Sequence, residues 1–241
     1  MQVLVAMSGG VDSSVAAALL RDAGHDVTGV TLRLWGGETD SGCCSVGDVE
    51  DARRVAAQLD LPHYVFDESD EFEHLVVEPY VAAYDAGVTP NPCVDCNRHL
   101  KFGRLLARAR ALGFDTLATG HHARIVPGPD GRPRLARARD RAKDQSYVLV
   151  GIEAATLGHL SFPVGELTKA EVRDRATALG LRTADKPESM DVCFVARRDR
   201  ASFVEARAGA RPGAVVDVDG HVVGEHAGIA RFTVGQRRGV G

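Results

Sequence analysis

Residues 3 to 20 read as a strand, a tight turn and a helix. The apolar stretch Val3-Leu4-Val5-Ala6 runs into Met7-Ser8-Gly9-Gly10-Val11-Asp12-Ser13-Ser14, and Val15 to Leu20 continues as an apolar helical pattern. A glycine-rich turn between a buried strand and a helix makes an anion site. Glycines let the backbone approach closely, and the N–H groups of the turn and first helical turn face the anion with the helix dipole behind them. Ser8, Ser13 and Ser14 add hydroxyls, and Asp12 is suited to capping the helix or to holding a phosphate-bound metal. No lysine follows the glycines, so the G-x-x-x-x-G-K-[ST] grip on a γ-phosphate is absent.

The rest of the chain extends this unit. Strand patterns at Val3 to Ala6, Val27 to Leu34, His63 to Phe66 and Thr116 to Ala118 alternate with helical ones, which predicts an α/β fold with a doubly wound parallel sheet. Ligands of such sheets sit at the carboxyl ends of the strands. Helices are expected up to Gly24, over Val46 to Leu59, over Glu71 to Ala86 with an interruption at Pro79, and over Asn97 to Leu112. Pro127 to Gly131 marks a hairpin turn, and Thr168 with Glu171 has capping-box spacing at the start of a helix over Lys169 to Gly180. Beyond about Ala201 the pattern changes, and Gly213 to Gly241 offers short valine-rich strands split by glycine turns, including Ile229 to Val234. Two domains are therefore expected, 1–200 and a small, partial β-domain over 201–241.

Composition narrows the function classes. No apolar run approaches the length of a membrane span and no signal-peptide pattern opens the chain, so no membrane partner and a cytoplasmic location are expected. Five cysteines are an odd number and do not read as a secreted disulfide framework; redox, metal or nucleophilic chemistry fits better. The net charge of -4 hides an uneven distribution. Asp67 to Glu78 holds six acids and no lysine or arginine, Asn97 to Arg110 holds Arg98, Lys101, Arg104, Arg108 and Arg110 with no acid, and Arg132 to Lys143 holds Arg132, Arg134, Arg137, Arg139, Arg141 and Lys143 against Asp140 alone. Each run is either a solvated face or, for the basic ones, a track for a polyanion backbone.

Cys96, at the predicted start of the basic helix, is placed where the dipole and Arg98 or Lys101 favour a thiolate. Cys193 lies in Ser189-Met190-Asp191-Val192-Cys193-Phe194. The alternative for either is a small buried hydrophobe. Cys43-Cys44 with Cys93-x-x-Cys96 offers four thiols, but adjacent cysteines do not supply the spaced pair of a zinc site, so no metal site is expected there. His121-His122 at a strand end is read as shaping a nucleotide edge or as packing.

The first loop resembles the SGGxDS signature of the PP-loop ATP pyrophosphatases, which have an adenine nucleotide alpha hydrolase-like fold, adenylate a substrate and release pyrophosphate. Further blocks follow in order: Thr89 to Asn97, Lys101-Phe102, Ala118 to Arg124, Lys143 to Tyr147, Met190 to Phe194, and Phe232 to Gly239. Together they resemble the tRNA-specific 2-thiouridylase family along the whole chain.

That resemblance implies ATP as substrate, bound at Ala6, Met7, Ser8, Gly9, Gly10, Val11, Asp12, Ser13, Leu32 and Gly120, with Mg²⁺ and no permanent cofactor. It implies adenylation of the wobble uridine of tRNA and thiolation at C2, with Cys193 as persulfide carrier, Cys96 as nucleophile and a redox-active Cys96–Cys193 disulfide. Asn91, Pro92 and Cys93 match positions that contact the target base, and Lys143, Asp144 and Gln145 a loop that contacts tRNA. The implied partners are tRNA and a sulfur donor, either a cysteine desulfurase or a sulfur-relay protein. The family often has an aspartate where this chain has Cys93, which leaves that acid's role to Asp95 or to no residue. The family's C-terminal β-barrel is expected to be missing, and a fragment is the expectation. Another PP-loop ligase or tRNA thiolase, or a non-catalytic thiol-rich RNA-binding module, are the competing readings.

Overall fold

The computed structural model describes residues 1–34, 46–187, 192–195 and 200–238. Cys43, Cys44, Ser189 to Asp191 and Gly239 lie outside the described residues. The chain runs β1 (Gln2–Ala6), α1 (Val11–Asp22), β2 (Asp26–Arg33), α2 (Val46–Gln58), β3 (His63–Asp67), α3 (Ser69–Phe72), α4 (Glu78–Asp85), α5 (Pro92–Asp95) and α6 (Leu106–Ala111). It continues with β4 (Thr116–Thr119), the hairpin β5 (Ala123–Pro127) and β6 (Pro133–Arg137), β7 (Leu160–Ser161), α7 (Lys169–Ala178), α8 (Arg200–Ala208) and the hairpin β8 (Gly213–Val216) and β9 (Val222–His226).

The four anticipated strands and the short β7 form one parallel sheet in the order β3-β2-β1-β4-β7. Strand period two explains its layers. In β1, Val3 and Val5 face a core shared with α1, α2 and α7, whereas Leu4 faces a second core with the helical region from 69 to 111. The sheet is thus covered on both faces, and β1 is central because its two neighbours leave in opposite directions.

The two long helical paths of the second face each contain a π-helical stretch that the sequence pattern does not show. Glu73–Val77 joins α3 to α4, and the Glu78 N–H reaches the Glu73 carbonyl five residues back. Pro79 sits just beyond, in the first turn of α4. A proline has no N–H and its ring collides with the carbonyl four residues earlier, so the wider turn absorbs the interruption without breaking the helix. Cys96–Leu105 likewise joins α5 to α6. That helical path begins at Pro92 and not at Asn97, with Asn91 as N-cap accepting from the Cys93 N–H.

The acidic and basic runs answer each other. Arg104 Nε donates to Glu68 at 2.8 Å and its Nη1 pairs with Glu71 at 3.2 Å, while Arg108 stacks on the Phe66 ring. The first basic run is therefore engaged within the fold at Arg104 and Arg108.

After helix α8 the chain returns to antiparallel pairing, as β8 with β9. Ile229 to Val234 departs from the expected strand. Ile229–Arg231 is a 3-10 turn, and the Val234 N–H donates to Thr89 Oγ1. Local turn bonds and that side chain take the donors a sheet partner would need.

The capping box is present in full: Thr168 Oγ1 accepts from the Glu171 N–H and Glu171 accepts from the Thr168 N–H. Thr168→Ala is expected to lower stability by about 1 kcal/mol in urea unfolding, with Thr168→Ser close to the parent. An unchanged midpoint in the alanine variant would contradict this role.

Candidate functional site

A cavity of about 520 Å³ opens at the carboxyl ends of β1, β2 and β4. This is where the strand order reverses and adjacent crossovers part. Its floor is the first loop: Ala6, Met7, Ser8, Gly10, Asp12 and Ser13 line it. Leu32 and Leu34 supply the apolar side from the end of β2, and Thr119, Gly120 and His121 supply the end of β4.

The loop is held rigid from behind. The Met7 N–H donates to the Val30 carbonyl at 2.8 Å, and Thr31 Oγ1 donates to the Met7 carbonyl at 2.8 Å. Because the Thr31 hydroxyl proton is thus committed, the His63 Nε2–H is the donor in the 2.9 Å contact with Thr31 Oγ1. Ser13 and Ser14 hydroxyls both donate back to the Gly10 carbonyl, so they order the turn. Gly9 has φ +68° and lies against the α2 backbone, where a Cβ would come 2.3 Å from the Asp48 carbonyl oxygen. A Cβ on Gly120 would lie 2.4 Å from the Ser13 nitrogen. Only glycine lets β4 and the loop approach this closely.

Gly10 is the N-cap of α1 and Asp12 makes no cap. Its carboxylate accepts from Lys169 Nζ, 2.7 Å from both oxygens, and from His122 Nε2 at 3.1 Å. Burial alone would raise the Asp12 pKa, but the bonds from His122 and Lys169 outweigh it and hold the carboxyl below its ordinary value. Lys169 is far from the loop in sequence, and the capping box it sits in marks only a helix start, which is why sequence reasoning missed it.

Opposite the loop stands the helical path that begins at Pro92. Asn91, Pro92, Cys93, Cys96, Asn97 and Lys101 line the cavity from it. Cys96 is one turn inside the helix and not at its start, so the dipole, which acts over the first turn, favours Cys93 more. The π-turn has its own effect. In an α-helix a residue five positions on points well away from the first, whereas i→i+5 bonding brings Lys101 back to the face that carries Cys96. Lys101 is on the cavity wall and Arg98 is exposed outside it. Asn97 is buried, and its Nδ2 donates to the Val148 carbonyl at 3.1 Å.

The third wall is Val192, Cys193 and Phe194. Phe194 is buried, edge-on to Phe72 at 5.4 Å and to Tyr80 at 5.2 Å, which fixes Cys193 at the cavity. Gln145 also lines the cavity and accepts from the His122 N–H.

Thus the fold gathers Cys96, Cys193, the three base-contact candidates, Leu32, Gly120, Gln145 and most of the loop around one cavity. Gly9 and Val11 support it from outside the wall, Val11 being buried in the α1 core. Lys143 and Asp144 are also off the wall, and Asp144 accepts from the Ala138 N–H and the Ser146 hydroxyl. Asp95 does not line the cavity either.

Comparison with known proteins decides the family. Residues 1–197 match the family described as "tRNA methyl transferase HUP domain" and residues 201–241 that described as "tRNA methyl transferase PRC-barrel domain". A relative from Roseiflexus castenholzii, "tRNA-specific 2-thiouridylase MnmA", is 52% identical over 261 residues, covering 100% of this chain and 70% of its own. Relatives of the same name from Chloroflexus aurantiacus and Mycobacterium sp. (strain KMS) are 53% and 54% identical, over 99% and 100% of this chain and 68% and 67% of theirs. The chain belongs to the tRNA-specific 2-thiouridylase family. Among solved structures, a 4-thiouridine synthetase–RNA complex with bound ATP aligns with TM-score 0.51 at 18% identity, over 80% of this chain and 44% of that one. The U34-tRNA thiolase NcsA from Methanococcus maripaludis aligns with TM-score 0.50 at 18% identity, over 86% and 63%. At that identity the two bear on the fold alone, and both support the PP-loop architecture.

Two histidines beside the loop give the family member a pH signature. Burial lowers the His63 pKa, with Arg53 adding to it, and burial with Lys101 nearby holds His121 well below 6.5. Both are neutral when folded and take up a proton on unfolding, so their stability contribution is complete above the unfolded value near 6.5 and is lost as pH falls below it. The melting temperature is expected to drop as the pH is lowered from above 6.5 to below it. His121→Gln is expected to flatten that slope, and an unaltered slope would reject the assignment.

Proposed function

We propose that this chain is an ATP-dependent tRNA uridine 2-sulfurtransferase. The observation that carries the reading is that a phosphate-binding loop and two cysteines from distant segments share one cavity. The 2-thiouridylase relatives support the same activity. The family descriptions speak of methyl transfer, but a methyl donor has no use for a pyrophosphate-releasing loop or for a pair of thiols.

ATP is assigned to the loop, with its adenine toward Leu32 and Gly120 and its phosphates on the N–H groups at the start of α1. The wall carboxylate Asp12, together with phosphate oxygens of the nucleotide, would hold the Mg²⁺ that accompanies ATP, and the ion would supply charge neutralisation. No permanent cofactor enters the scheme. Among the described residues, the cluster of acids and histidine within ligand distance of one another, Asp217, Asp219 and His221, is on the exposed β8–β9 turn.

The target uridine, splayed from its anticodon loop, enters beside Asn91, Pro92 and Cys93. Its O2 attacks the α-phosphorus, pyrophosphate leaves, and the C2–O bond becomes one that AMP can break. Cys193 bears a persulfide delivered by a sulfur donor, a cysteine desulfurase or a relay protein. The terminal sulfur bonds to C2 and AMP departs with the oxygen. Cys96 attacks Cys193 Sγ, the S–S bond of the persulfide breaks, and the two thiols supply the two electrons by closing a Cys96–Cys193 disulfide. A dithiol reductant then restores both. Lys101, on the face of Cys96, stabilises the attacking thiolate.

The polyanion contact falls to the β5–β6 hairpin and the loop after it, where Arg132, Arg137 and Arg141 are exposed, with Lys143, Asp144 and Gln145 leading back to the cavity. No described helix is long and apolar enough to cross a membrane, and a cytoplasmic site beside tRNA fits the scheme.

Incubation with ATP, Mg²⁺, a sulfur donor and unmodified tRNA, followed by nucleoside mass spectrometry, is expected to yield 2-thiouridine. Cys193→Ser should abolish the product while tRNA-dependent pyrophosphate release persists. No 2-thiouridine from the parent would overturn the activity, and full thiolation by Cys193→Ser would overturn the persulfide route. Separately, reversing Arg132 and Arg141 to glutamate should weaken tRNA binding and make its salt dependence shallower, by a slope of about one for each phosphate that is no longer neutralised. A parent-like slope would remove the hairpin from the interface.

A further inference from the structure

We propose that Lys169 is the polyphosphate-sensing cation of the nucleotide site, the lysine that the first loop lacks in its own sequence. The inference rests on reading the cavity as an ATP site and goes beyond it by assigning a residue that discriminates triphosphate from monophosphate.

Three observations carry it. The ammonium of Lys169 is 2.7 Å from both oxygens of Asp12, a carboxylate on the cavity wall at the second residue of α1. The Lys169 side chain is only 13% exposed, so this charge is taken out of water and held in the fold. Its backbone is fixed as well: the Lys169 N–H donates to Asp140 Oδ2 at 2.9 Å, and the Thr168–Glu171 box sets the first turn of α7. Val172 and Ala176 lock α7 into the core that α1 shares. Tertiary packing therefore delivers a cation from 157 residues away to the wall carboxylate Asp12, the ammonium itself lying just off the cavity lining.

The charge arithmetic gives it a task. A carboxylate at the start of α1 repels a triphosphate that the N–H groups attract. Lys169 neutralises Asp12 while the cradle is empty, and its flexible stem lets the ammonium exchange the carboxylate for phosphate oxygens when a polyphosphate arrives. Asp12 is then released toward the cation that accompanies the nucleotide. AMP, lacking the outer phosphates, draws far less on the exchange.

The test is calorimetric titration of the full chain with ATP and, separately, with AMP, without tRNA or sulfur donor. Lys169→Gln is expected to weaken ATP binding by about tenfold or more, the scale of one charged hydrogen bond, with AMP affected much less. Lys169→Arg should keep most of the discrimination, which guards against a folding defect as the explanation. Equal losses for both nucleotides in Lys169→Gln, or no loss for ATP, would overturn the proposal while leaving the ATP site standing. A parent chain that binds neither nucleotide would overturn both.

Discussion

The constraint on which the molecule depends is the contact between the end of β4 and the first turn of α1. Position 120 has no room for a side chain, because a Cβ there would lie 2.6 Å from the Asp12 carbonyl carbon and 2.4 Å from the Ser13 nitrogen. Glycine lets the two backbones meet, and that meeting fixes how far β1 and β4 part at their carboxyl ends. The crevice, the orientation of the loop N–H groups and the approach of His121 and His122 all follow from it. On the far side of the loop, Gly9 against the Asp48 backbone does the corresponding job for α2. The cradle is a seam held between three elements, more than a flexible loop on a surface.

Charge then links this seam to the rest of the chain. Asp12 draws Lys169 from α7 and His122 from the β4 exit, and Lys186 bridges Asp48 and Asp51 of α2 to the segment that leads toward Cys193. These pairs are half-buried, and the desolvation of their charges offsets much of their mutual attraction. Here their geometry matters more, since each ties a segment of remote sequence position to the elements that form the cavity.

The sequence made the parallel sheet, the hairpin and the capping box readable because each depends on local chemistry: period-two apolar runs, a Pro-Gly turn, and Thr168 with Glu171 three residues on. The first loop was legible for the same reason. What stayed hidden depends on tertiary placement. Nothing near Lys169 marks it as a partner of Asp12, and nothing in the two charge runs states that Arg104 answers Glu68 and Glu71. Ile229 to Val234 has strand composition, but strands are made by partners, and the Val234 N–H finds Thr89 instead.

The π-turns are the subtlest departure, and the second one shapes the chemistry. A helix read at 3.6 residues per turn puts Cys96 and Lys101 on different faces and puts Cys96 beside the helix start. The structure reverses both: Cys93 takes the first turn, behind the Asn91 cap, and the π-helical stretch Cys96–Leu105 rotates Lys101 onto the cavity with Cys96. Gly103 fits this geometry, since a Cβ there would stand 2.9 Å from the Arg98 carbonyl oxygen five residues back. The ten-residue π-helical stretch leaves the apolar stripe Leu100, Leu105, Leu106 buried. It changes which functional groups share a face, and so a thiol and a cation separated by an α-helical mismatch become neighbours on one wall.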